Sequence, residues 1–355
     1  MAQRRIRTSH LTEGMIIKND IYSNSGLVIV PANTTVTADI RRLLTRHFIE
    51  DVVVETGTLS SSNPFQPTFQ TSIQRMEHFE KTFEIAEENL SQNLLNIINN
   101  NADIDTQLLL DSLNSIIQTA DNDVDLCNMI SSMQEKAKNL YTHSINVAIF
   151  SQILAKWIDC TNTEIELVSI AALLHDIGLL KCIPNNNATI SFRDELFGIN
   201  YERHVLHGYN LIKDKNIDSR IKQAVLTHHE RIDQSGFPLQ ISTANINHIS
   251  RILAIADTYD ILTMGETSPT SMSQFGAIKY LEEHTYGKLD THILITFLDK
   301  IAHTLLQHQV LLSNGEMGRV IMINKNNLSR PLVQIGSVFV DLSIRTDLLI
   351  KKVLE

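Results

Sequence analysis

Apolar residues recur along this chain with two different periods, and the change of period predicts a change of architecture. From Met15 to Val54 the apolar runs are short: Met15-Ile16-Ile17, then Leu27-Val28-Ile29-Val30 ending at Pro31, then Val52-Val53-Val54. Short apolar runs closed by turn residues predict strands. Between them, Thr37 followed by Ala38 to Leu44 predicts one capped amphipathic helix. A small α+β module over residues 1–58 is therefore expected. The next stretch, with Ser60-Ser61-Ser62-Asn63-Pro64 and Pro67, has no apolar period and predicts a linker over 59–72. The helical period then begins: Met76, Phe79, Phe83, Ala86, Leu90, Leu94 and Ile97 fall on one face, and Leu108 to Ile117 repeats the pattern. These residues predict a helical connector over 73–125. Helical patterning continues through 126–306, and short alternating runs around Val320-Ile321-Met322-Ile323 and Val338-Phe339-Val340 predict a β appendage over 307–355. The fold class expected is mainly α, with a small N-terminal α+β module and a C-terminal β appendage.

Composition narrows the function classes. A net charge of −10 over 355 residues argues against a nucleic-acid polymer or an anionic membrane as the main partner. Cys127, Cys160 and Cys182 show no paired spacing, which speaks against a disulfide framework or a zinc ribbon and for a reducing compartment. No apolar run approaches the roughly 18 residues of a membrane span, and Met1 to Arg7 is not followed by a signal-peptide core. A cytoplasmic protein is expected.

The chemistry is concentrated at the ends of apolar helical runs. Ala171-Ala172-Leu173-Leu174 stops abruptly at His175-Asp176, Val147-Ala148 follows His143, Ala224-Val225-Leu226 precedes His228-His229, and Ile252-Leu253-Ala254 precedes Asp257. His204 lies between. Helices can bring such side chains to one interior point, where an imidazole and a carboxylate need charge balance. Imidazoles and carboxylates without thiolates suit iron, manganese, zinc or a similar divalent ion, and seven such groups exceed what one metal needs. Two metals roughly 3.5–4 Å apart can clamp the attacking and leaving oxygens of a phosphoryl transfer.

His175-Asp176-Ile177-Gly178 and His228-His229-Glu230-Arg231-Ile232-Asp233-Gln234-Ser235-Gly236-Phe237-Pro238 resemble the two signatures of the HD-GYP family, and Arg251 to Asp260 is similar to its third block. The resemblance covers Leu126 to about Leu306. It implies a helical HD-type domain that hydrolyses cyclic di-GMP with two divalent transition-metal ions, iron or manganese. It further implies that His143, His175, Asp176 and Asp257 hold one metal, and that Asp176, as the central catalytic residue, bridges to a second held by His204, His228 and His229. Arg231, Arg251 and Lys181 are the candidates to meet substrate phosphates, the two arginines having carboxylate pairing as an equal alternative. For any single histidine a hydrogen-bonded structural role is the default; the ordered set of blocks favours ligands. Asp260, one turn from Asp257, is expected to orient a neighbour.

The chain also departs from the family pattern. Leu179 stands where the family carries Lys, Gln234 replaces a Gly, Phe237 replaces the Tyr, Glu266 falls where an arginine-rich turn is expected, and Asn139 falls where some members place a third-metal Glu. These changes spare the ligands and carry the second reading, a silent adaptor that binds cyclic di-GMP or a signalling protein. If the site is active, restoring Leu179→Lys with Glu266→Arg is expected to raise turnover. A homodimer is left open.

Overall fold

The computed structural model describes residues 3–12, 14–22, 28–30, 32, 34–46, 49, 51–55, 66–133, 139–182, 201–264 and 272–354. Glu266 and most of the Ser/Pro-rich stretch lie outside them. The chain divides into two compact units, one of residues 1–77, 307–322 and 332–355, the other of residues 78–306 and 323–331.

In the first unit, β1 (Gln3–Arg7), β5 (Asp51–Glu55) and β2 (Ile16–Ile17) form an antiparallel sheet in that order, and β3 (Ile21–Tyr22) pairs with β4 (Val28–Val30). Helix α1 (Ala38–Arg46) starts where Thr37 accepts the Ile40 N–H, as its capping role predicts. Ile17, Val30, Val36, Ile40, Leu44, Val52 and Val54 form the core of this module. Strand β1 escapes apolar patterning because Ile6 is its one apolar residue; pairing with β5 from Gln3↔Glu55 to Arg7↔Asp51 makes it a strand. The C-terminal sheet runs β10-β6-β7-β8-β9, from β6 (Gln309–Leu312), β7 (Met317–Met322), β8 (Leu332–Ile335), β9 (Val338–Asp341) and β10 (Ile350–Leu354), all antiparallel. Residues 323–331 group instead with the helical unit, where the Leu328 N–H reaches Glu282 at 3.1 Å.

The predicted linker needs a correction. Helix α2 runs unbroken from Gln66 to Asn100, so residues 66–72 are helical. Pro67 falls in the first turn, where a missing N–H costs nothing and the fixed φ favours the helix. Nor do residues 78–125 form a separate connector: α2, α3 (Thr106–Ile117) and α4 (Asp123–Ser132) belong to the same unit as the rest of the helices, with α3 packed on α5 (Leu140–Trp157) and α6 (Asn162–Leu174).

Helix α5 is buried from Leu140 to Ala155, as a helix surrounded by others must be. It packs against α6 and α10 (His248–Thr263), while α9 (Ser219–Thr227) packs on α6, α10 and α8 (His204–Ile212). Side-chain caps fix the starts: Asn139 for α5, Thr161 with Glu164 in a capping box for α6, Asp218 for α9, Asn247 for α10. Between α6 and α8 lies the short α7 (Leu179–Cys182). Gly178 precedes it because a Cβ there would sit 1.9 Å from the His204 carbonyl oxygen, so only glycine lets α7 start against α8. Helices α11 (Gln274–His284) and α12 (Thr291–Thr304) complete the unit, together with two short turns of tighter helix at Tyr201–Arg203 and Thr243–Asn245.

Candidate metal centre

Each of the seven side chains singled out by sequence comes from a capped or terminated helix. His143 sits in the first turn of α5, His175 and Asp176 follow the last turn of α6, His204 opens α8, His228 and His229 close α9, and Asp257 lies in the middle of α10. All seven are buried. They form two groups whose ligand atoms lie within 4.8 Å of one another: His143, His175 and Asp257, and Asp176, His204, His228 and His229.

Asp176 joins the groups through its two oxygens. Oδ2 faces His143 Nε2 at 3.7 Å and His175 Nε2 at 3.4 Å, and Oδ1 faces His204 Nε2 at 3.1 Å and His228 Nε2 at 3.7 Å. Asp257 approaches His143 Nε2 at 3.2 Å through Oδ1 and His229 Nδ1 at 3.9 Å through Oδ2.

The outer nitrogens set the ring orientations. His175 Nδ1 lies 2.7 Å from the Ala172 carbonyl, and His228 Nδ1 lies 3.1 Å from that of Val225, so each donates outward and turns the Nε2 lone pair inward. His143 Nδ1 meets Asp260 Oδ2 at 2.7 Å, while the other oxygen of Asp260 accepts from Asn146 at 3.1 Å. Asp260 thus orients a neighbour, as expected. His204 Nε2 and His228 Nε2 face each other at 3.4 Å. Among the described residues, the buried His175 Nε2 finds no hydrogen-bond partner, and the buried Asp176 Oδ1 has only imidazole nitrogens near it, a combination that costs free energy unless something positive lies between them.

Protonation fits the same purpose. Burial holds His175 down to about 4, with His228 and His143 adding to the effect and Asp176 opposing it. Burial also holds His229 well below the usual imidazole value, helped by His228, His204 and Arg231. Burial opposes ionisation of Asp176, but the surrounding imidazoles, His175 and His204 foremost, hold its carboxyl well below the usual range; Asp257 is lowered likewise by His143. Neutral imidazoles beside ionised carboxylates are the state a divalent cation binds. Burial opposes a charge on His143 as well, yet Asp257 and Asp260 together raise it to about 10. The donor set, all nitrogen and oxygen, fits a transition metal.

Residues 126–293 match the family model of the HD domain. This part of the chain is an HD domain. HD domains are metal-dependent, in keeping with the buried His/Asp groups. The chain is similar to the cyclic di-GMP phosphodiesterase PA4108 of Pseudomonas aeruginosa, 26% identical over 212 residues, or 58% of this chain and 50% of that protein. It is similar to the cyclic di-GMP phosphodiesterase PdeB of Borreliella burgdorferi, 26% identical over 194 residues, or 54% of this chain and 50% of that protein. It is also similar to the 3'3'-cGAMP-specific phosphodiesterase 1 of Vibrio cholerae, 28% identical over 166 residues, or 46% and 38%. The chain thus spans half or less of the length of these relatives. Among solved structures, Bd1817, an HDG"Y"P protein of Bdellovibrio bacteriovorus, overlaps 84% of this chain and 99% of its own with a TM-score of 0.48 at 16% identity.

The three basic candidates behave differently. The Arg251 guanidinium is engaged in holding its own fold: it donates to the carbonyls of Ile246 at 3.0 Å and Thr243 at 2.6 Å and pairs with Asp290 at 3.1 Å. Carboxylate pairing is therefore the role this structure shows for Arg251. Arg231 donates through Nη1 to the carbonyls of His228 at 3.2 Å and Glu230 at 3.0 Å, which keeps it beside the buried His/Asp groups. Lys181 is solvent-exposed on α7. Asn146 and Glu230 were not singled out by sequence. Asn146 falls on an apolar helix as an ordinary polar interruption, and Glu230, buried directly after His229, is satisfied by main-chain N–H groups that no side-chain pattern records.

Proposed function

We propose that this protein is a cytoplasmic, metal-dependent phosphodiesterase that hydrolyses cyclic di-GMP with two divalent ions, iron or manganese. The observation that carries the reading is the division of Asp176, one oxygen toward each ligand group. His143, His175, Asp176 and Asp257 would hold one ion, and Asp176, His204, His228 and His229 the other. When bound, such a pair supplies a water of lowered pKa and positive charge for the phosphate oxygens. The protein supplies the rest. Burial excludes bulk water, Asp260 and the carbonyls of Ala172 and Val225 fix the rings, and Arg231 is the cation best placed to meet a phosphate. The names of the relatives support the substrate class.

A second reading, the adaptor that binds without turnover, is favoured by one observation: Leu179, where the family pattern has Lys, is fully buried and apolar. Slow turnover follows if the phosphate loses that contact. Elemental analysis of protein made with iron or manganese should find close to two ions per chain, and Asp176→Ala should lose both. The loaded protein should hydrolyse cyclic di-GMP faster than 3'3'-cGAMP. Tight binding of cyclic di-GMP without hydrolysis under either metal would establish the adaptor instead; absence of metal would sink both the centre and the chemistry.

A further inference from the structure

We propose that Glu230 is a positioning residue for His228 and His229, acting by folding the segment 231–241 back onto the second metal group. The proposal rests on the two-ion reading above. Glu230 is 3% exposed and follows the two histidines directly. Its Oε1 accepts the N–H of Leu239 at 2.6 Å and of Gln240 at 3.1 Å, and its Oε2 accepts that of Ile241 at 3.2 Å. Gln240 has φ +52°, so three successive N–H groups with a left-handed residue among them form a concave nest of the kind that binds anions. Here the anion is the chain's own carboxylate, and the loop between is tied shut.

The closed loop grips His229 on two sides. Phe237 donates its N–H to the His229 carbonyl at 3.3 Å and lays its ring on the imidazole, centroids 4.6 Å apart at 29°. A Cβ on Gly236 would come within 2.4 Å of the His229 carbonyl oxygen and 2.5 Å of the Arg231 nitrogen, so the loop lies against this backbone as closely as glycine permits. Arg231 adds its bonds to the His228 and Glu230 carbonyls. The other group is oriented from elsewhere, His143 by Asp260 and His175 by the Ala172 carbonyl. Loss of Glu230 should therefore weaken one ion and not the other.

The test is manganese titration of the metal-stripped full-length chain, reading ions per chain and the affinity of each, with helical content followed by circular dichroism. Glu230→Gln keeps the size and one acceptor oxygen but turns an amide N–H₂ toward a main-chain N–H. It should bind one ion as the wild type does and the other ten- to hundredfold more weakly, the range usual for residues that orient metal ligands. Phe237→Ala should weaken the same ion, identified as the one His228→Ala abolishes, and Phe237→Tyr should restore it. Wild-type affinity for both ions in Glu230→Gln, or equal weakening of both, overturns the proposal. If Glu230→Gln does not fold, Phe237→Ala decides, and unchanged affinity there overturns it. A wild-type chain that takes up no manganese refutes the two-ion reading, and this inference falls with it.

Discussion

Gln234 has φ +64° in the turn where its N–H bonds the Arg231 carbonyl at 2.9 Å, and the family signature has glycine at that place. A side chain in the left-handed region costs about 1–2 kcal/mol, part of which glycine gives back through its freer unfolded chain, about 0.4–1 kcal/mol. Gln234→Gly should therefore stabilise the protein by about 0.5–1 kcal/mol, read as a higher urea midpoint at unchanged slope. An unchanged or lower midpoint would show that the exposed side chain relieves the strain in another way. The residue substitution was visible in the sequence, but its cost was not, because φ belongs to the folded turn. The same divide runs through the centre. The seven buried side chains of the centre could be singled out because His and Asp at the ends of apolar runs demand a partner. Arg251 could not be decided, since pairing with Asp290 joins positions far apart in the chain, and Glu230 could not be found, since its partners are main-chain groups.

Among the elements, the helical period predicts α3 and α2 from residue 73 onward, and the helical character of residues 126–306, but it says less about which faces are covered. Helix α5 is the clearest case: burial on all sides erases the amphipathic stripe that would mark its inner face. Helix α7 matters more for function. Sequence alone suggests that Leu179→Lys together with Glu266→Arg would return phosphate-holding cations and raise turnover, and the structure bears on the first of the two. In the structure Leu179 is fully buried at the start of α7, next to Gly178, which already brings the chain against α8. A lysine there must either desolvate its ammonium or displace the helix, and burying an unpaired charge is among the few single changes that cost more than about 2 kcal/mol. Leu179→Lys should thus lower stability by at least that amount, measured by chemical denaturation, with turnover unimproved. A variant as stable as wild type that hydrolyses cyclic di-GMP faster would show that the stem reaches the phosphate while its neighbours rearrange.

At the level of the whole molecule, the division into two units falls within α2, between Glu77 and His78, and not in the polar stretch before it. The expected linker and the observed helix overlap over residues 66–72, because a run of Gln, Thr and Ser is compatible with a helix once Pro67 can begin it. Only the part of that linker before Gln66 is then open to nicking. Proteases need backbone that can be drawn out of its hydrogen bonds, and helix α2 offers none from Gln66 onward without unwinding, whereas Ser60-Ser61-Ser62-Asn63-Pro64 has the composition of a linker. Limited proteolysis should therefore cut first between residues 56 and 65, leaving a large fragment that begins before or at Gln66 and carries all seven ligands. Mass spectrometry of that fragment reads its start, and elemental analysis reads whether it keeps the metal of the intact chain. A first cut inside α2, or a fragment that sheds its metal on cleavage, would mean that the HD domain depends on the N-terminal residues for more than their covalent attachment.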